Sequence, residues 1–109
     1  MTARRSQPAR NAPRPKSERL VPFDAARYLK SDRAIAAYLN EALRHDDPRF
    51  LLAALGDVAR ARGMSGVARD AGLGRENLYK SLMPKGNPRI KTLFRVAAAF
   101  GVRFEVRVA

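Results

Sequence analysis

Cysteine is missing from all 109 residues, which removes disulfide frameworks, thiolate metal sites and cysteine nucleophiles together. Histidine occurs once, at His45, beside Asp46 and Asp47. A metal centre would need more ligands than these. Asp47 is wanted as a helix cap and no other ligand stands near in sequence, so His45 reads as a charge-compensating group at a helix end. There is no phosphate-binding glycine loop and no nucleophile–base constellation. No enzymatic activity, cofactor or metal is expected. Aromatic residues make up 7% of the chain against 46% apolar residues overall, which points to a small core of Ala, Leu and Val. Long apolar runs are also lacking: 50–55 and 96–100 are among the longest, far short of the roughly 20 residues a membrane helix requires. The basic N-terminal stretch has no apolar segment of the secretory type, and its prolines at 8, 13 and 15 oppose an amphipathic transit helix. A cytosolic protein without membrane attachment is the expectation.

What the chain has in excess is positive charge, +12 in total, unevenly placed. Residues 1 to 19 carry six basic and one acidic side chain, 20 to 59 five and six, and 60 to 95 nine and two. Two segments therefore carry the field. A polyanion is the natural partner, because each neutralised phosphate releases condensed counterions. A merely solvated, soluble surface is the other reading.

Residues 1 to 19 are rich in Arg, Pro, Ala and Ser and have almost nothing to bury, so residues 1–20 are expected to form a disordered basic arm. Asp24 can cap a short turn through Leu29, and Ser31 a helix over 32–44 with Ile35, Leu39, Ala42 and Leu43 on one stripe. Asp47 and Pro48 suit the start of a helix that runs to Arg62 and stops at Gly63. Its apolar positions cover more than one stripe, as in a buried central helix. Ser65 can cap a short helix to Ala71; Gly72 supplies a left-handed turn, and a second short helix covers Arg75 to Leu82. Asn87 and Pro88 start a last helix, with Ile90, Leu93, Phe94, Ala97 and Phe100 at helical spacing, ended by Gly101. Five or six helices result, an all-α bundle with no internal repeat.

Beyond Gly101 the period changes. Val102, Phe104, Val106 and Val108 alternate with Arg103, Glu105 and Arg107, the period of two expected of a β-strand. No other segment reads as a strand to pair with it. Pairing with another copy across a two-fold axis is the simplest solution, hence a homodimer joined through Val102, Phe104, Val106 and Val108. A tail that packs Phe104 on the helices without pairing is the alternative.

The stretch "AGLGRENLYKSL", 71–82, has the layout of a recognition helix. With Leu78 and Leu82 inward, Glu76 and Lys80 point away, Asn77 and Tyr79 lie on the flanks and Arg75 stands at the first turn. Arg can take guanine bidentately, and Asn adenine, in the major groove. The competing reading is a solvated helix with a Glu76–Lys80 ion pair at i, i+4.

The longer run "MSGVARDAGLGRENLYKSLMPKGNPRIKTLFRVAAAFGV" resembles the helix-turn-helix of lambda-repressor-like (Xre/Cro-type) DNA-binding domains. "PFDAARYLKSDRAIAAYLNEAL" followed by "DPRFLLAALGDVARARGMS" is similar to the addiction-module antidote family of bacterial antitoxins. The resemblance covers roughly residues 21 to 107. It implies a helix-turn-helix domain over 21–109 and a small dimeric antitoxin that represses its own operon and neutralises a RelE/ParE-type toxin. Arg75, Glu76, Asn77 and Lys80 match its base-facing positions. Ser65, Tyr79, Lys85, Asn87 and Arg89 would hold phosphates of double-stranded DNA at an inverted-repeat operator. Gly66 and Gly74 depart from the pattern, which commonly has a polar side chain and a capping Ser there. Residues 23 to 47, with the acidic balance missing elsewhere, are the candidate toxin surface. A stand-alone phage-type repressor without a toxin is the alternative function.

Overall fold

A computed structural model describes residues 28–109. The arm over 1–20 lies outside the described residues, as does the turn from Asp24 except for its end at Tyr28 and Leu29. Among the described residues there are five helices and no strand: α1 (Asp32–Leu43), α2 (Pro48–Arg62), α3 (Met64–Ala71), α4 (Arg75–Ser81) and α5 (Ile90–Phe100). None is long and apolar enough to cross a membrane.

Local signals set most boundaries. The Ser31 hydroxyl accepts from the Ala34 N–H at 3.0 Å and opens α1. Asp47 opens α2 by accepting from the Arg49 N–H at 3.0 Å, with Pro48 at the first helical position. The Arg49 guanidinium also donates to Asp47, at 2.8 and 3.2 Å, and together these bonds hold the Asp47 carboxyl below its ordinary pKa. Gly63, Gly72 and Gly101 have φ of 100, 72 and 83°, values at which a Cβ is strained, and each ends a helix.

Packing follows the apolar faces. α1 packs on α2, α2 on α3, and α3 on both α4 and α5. Ile35, Leu55, Val58, Leu78, Val96 and Phe100 are fully buried at the centre. α2 is the broadest contributor, burying Leu52, Ala54, Leu55, Gly56, Val58 and Ala59. Two polar ties brace the bundle. The Tyr38 hydroxyl donates to Asp57 at 2.5 Å, joining α1 to α2. Arg62 donates to Asp32 at 3.2 Å and to the Phe100 carbonyl at 3.1 Å, joining the end of α2 to the start of α1 and the end of α5.

Four expectations are corrected. α3 starts at Met64, so Ser65 is the second helical residue and not its cap; the turn at Gly63 lets the Gly63 carbonyl accept from the Val67 N–H at 3.1 Å and starts the helix early. α5 starts at Ile90 with Arg89 at the cap position, leaving Asn87 and Pro88 in the preceding loop. Leu43 is 43% exposed rather than on the inner stripe of α1. The core face of α5 is turned toward Val96, so Ile90 and Phe94 stand 65% and 60% exposed. The strand is not formed within the single chain: residues 102–109 have no regular structure, and Phe104 packs on Phe94 with ring centroids 6.1 Å apart. A ladder needs a second strand, and the described residues contain none.

Candidate nucleic-acid interface

The α3–turn–α4 unit is built around three small or branched side chains. Ala68 (3% exposed) and Leu78 (0%) sit where the two helices meet, and Leu82 (5%) closes the far end. Between the helices, Gly72 turns left-handed and the Leu73 N–H returns to the Ala68 carbonyl at 2.8 Å, a close that satisfies the last carbonyls of α3. α4 is thereby fixed on one side only. Burying Leu78 alone is worth about 1.5–3 kcal/mol, enough to seat a helix of seven residues that would not persist unaided.

The rest of the α4 surface is bare. Arg75, Glu76, Asn77, Tyr79 and Lys80 are all exposed. Among the described residues no hydrogen bond or ion pair engages the side chains of Arg75, Glu76, Asn77 or Lys80, so the Glu76–Lys80 ion pair of the competing reading is not made. The helix has no side-chain cap at Gly74, which leaves the first-turn N–H groups of α4 open at the end where Arg75 stands.

The loop after α4 is drawn against that helix. A Cβ on Gly86 would collide with the Ser81 carbonyl oxygen and stand 2.9 Å from that of Lys80, so glycine alone permits this approach. The contact brings Lys85 and Asn87, both exposed, beside the C-terminal end of α4. Arg89 is exposed at the start of α5. Ser65 is exposed in the first turn of α3, on a separate helix start. Of the four apolar residues of the alternating segment, Val102 and Phe104 are half-buried and tied to α5, through Ala97 and Phe94, while Val106 and Val108 are exposed.

His45 stands just past the end of α1, where its N–H donates to the Ala42 carbonyl at 3.3 Å. Its ring lies flat on Phe50, 4.1 Å between centroids, with a buried Nε2 that has no hydrogen-bond partner among the described residues. No group of three metal-ligating side chains occurs among the described residues. Sequence reasoning missed Gly86, whose role depends on a tertiary contact, and the exposed Ile90–Phe94 flank of α5. The second had a signal: adding Val96 to the expected stripe gives an apolar arc of about 160° at 100° per residue, more than one neighbour covers.

Comparison with known proteins adds a lineage to this geometry. A family model described as "Probable addiction module antidote protein" matches residues 19–108. An uncharacterized protein of Haemophilus influenzae is 48% identical over 91 residues, covering 84% of this chain and 94% of its own length. No solved structure matches at a significant level.

Proposed function

The chain belongs to the family of probable addiction module antidote proteins, and from that membership we propose that it is a DNA-binding antitoxin that represses its own operon and neutralises a RelE/ParE-type toxin. An antidote implies a toxin partner. The finer reading is that α3 and α4 form a lambda-repressor-like helix-turn-helix whose second helix enters the major groove. The observation that carries it is the bare, uncommitted face of α4. In this reading Arg75, Glu76, Asn77 and Lys80 read base edges, with Arg75 suited to guanine and Asn77 to adenine. Ser65, Tyr79, Lys85, Asn87 and Arg89 hold phosphates and set register. Two copies, joined through the Val102–Val108 segment, place two such helices on an inverted repeat. The toxin is met by residues 23 to 47, whose described part exposes Leu43 and Glu41 on α1. The function is binding rather than catalysis.

The test is co-expression with the neighbouring reading frame, purification, and footprinting of the upstream DNA. The expected result is a toxin complex that protects a short inverted repeat, and loss of that protection in Arg75→Ala/Asn77→Ala with the complex intact. Undiminished sequence preference in the double variant would remove α4 from the DNA. Protection of an operator with no toxin-like frame alongside would leave a stand-alone repressor.

A further inference from the structure

The alternating segment carries more information than the fact of a dimer. Val106 and Val108 are bare β-branched side chains, 98% and 100% exposed, and Phe94, the ring on which Phe104 packs, is exposed as well. Among the described residues no backbone hydrogen bond engages residues 103 to 109. The Val102 N–H, by contrast, is committed to the Ala97 carbonyl at 3.0 Å, and Gly101 is left-handed at φ 83°. The stretch free to form a ladder is therefore 103–109.

We propose that residues 103–109 pair antiparallel with the same residues of a second copy in one register, with Val106 facing Val106 across the two-fold axis. The proposal rests on the dimeric reading above and specifies it. In a sheet, a shift of one residue puts apolar side chains opposite polar ones, so only registers centred on a residue are admissible. Centring on Glu105 sets Glu105 against Glu105 and Arg103 against Arg107; like charges directly opposite are destabilising. Centring on Arg107 sets two arginines on the axis. Centring on Phe104 gives Arg103–Glu105 pairs, but it requires Val102, whose N–H is already used, and leaves Val108 with no counterpart. Parallel in-register pairing stacks like charge on like.

Centring on Val106 has none of these faults. Glu105 faces Arg107 of the second copy twice, Phe104 faces Val108 twice, and the ladder uses the free backbone and no committed group. Because Phe104 already packs on Phe94 at 6.1 Å, Val108 of the second copy is delivered beside Phe94. The exposed flank of α5 is then continuous with the ribbon, which accounts for an apolar surface the single chain leaves uncovered.

The absence of cysteine makes the test clean, since one introduced thiol reports one pair. Directly opposed residues have Cα atoms about 4.5–5.5 Å apart, inside the roughly 4.4–6.8 Å a disulfide spans. Under mild oxidation Val106→Cys is expected to cross-link into covalent dimers, at least about tenfold faster than Phe104→Cys or Val108→Cys. Glu105→Arg and Arg107→Glu are each expected to raise the dimer dissociation constant by roughly tenfold or more, and the double variant to restore it. All five positions lie outside the buried core, and circular dichroism checks that the helices persist. A stable dimer in which Phe104→Cys cross-links fastest, or in which the charge reversals do not compensate, overturns the register and leaves the dimer standing. A monomer by sedimentation overturns both, while operator protection by α4 is read separately.

Discussion

Gly86 shows how one missing Cβ can organise a binding surface. The loop that holds Lys85 and Asn87 reaches α4 only because nothing but hydrogen stands between Gly86 and the Ser81 and Lys80 carbonyls. Gly86→Ala must push the loop away from the helix or tilt the helix end, an overpacking penalty of about 1–3 kcal/mol. We expect a lower melting temperature and an operator affinity at least about tenfold weaker, with the dimer unchanged. An alanine variant with wild-type melting and affinity would show that the approach is dispensable. The outward side of α4 is different in kind. That Glu76 and Lys80 point away could be read directly from the sequence, because helical geometry sets them opposite Leu78 and Leu82 and both leucines are buried. Gly86 could not be read that way, since its constraint comes from carbonyls five and six residues earlier, brought close by the fold.

At the scale of elements, the same contrast decides which boundaries were legible. Asp47–Pro48 opening α2, Gly63 closing it, Gly72 after α3 and Gly101 after α5 are local chemistry and stand where the sequence puts them. The start of α3 and the facing of α5 depend on what packs against them, which neither the capping preference of Ser65 nor the helical spacing of Phe94 reveals. α4 carries an unused opportunity. Its cap position, Gly74, has φ −71° and ψ 148°, a conformation any residue adopts, and an added Cβ would meet nothing nearer than Asn77 Nδ2 at 3.8 Å. Gly74→Ser supplies a hydroxyl for the open N–H groups and restricts the unfolded chain, so we expect stabilisation by about 0.5–1 kcal/mol. That corresponds to roughly 2–8 °C in a thermal melt; an unchanged or lowered melting temperature would contradict the uncapped description of α4. The cap of α2 is already charged. Its carboxyl is held below the ordinary value by the Arg49 side-chain and backbone hydrogen bonds. The contribution is therefore complete above the unfolded value of about 3.9 and is lost as pH falls through the depressed native one. Asp47→Asn keeps an acceptor without the titration, so its stability should fall less steeply than wild type as pH drops below the unfolded value.

The whole molecule divides its charge along the order in which its helices pack. Residues 20 to 59, which supply α1 and nearly all of α2, hold five basic and six acidic side chains, while 60 to 95, which supply α3, α4 and the start of α5, hold nine and two. α1 packs chiefly on α2 and α4 chiefly on α3, so an acidic-balanced surface and a basic one belong to different parts of the bundle. In the proposed reading a toxin and an operator can then be held together, because neither needs the other's residues. This arrangement makes a quantitative claim about salt. Each phosphate neutralised contributes about 0.9 to the slope of log K against log salt. Lys85 and Arg89, counted in both copies of a dimer, account for four such contacts in the proposed interface. Lys85→Ala/Arg89→Ala should therefore make the slope shallower by about 3.6 while preserving the preferred sequence. Arg75→Ala/Asn77→Ala should do the reverse, erasing preference among sequences with a much smaller change in slope. If the loop variant leaves the slope unchanged, Lys85 and Arg89 do not face the duplex, and the docking of α4 must be turned so that a different basic face of the bundle meets the phosphates.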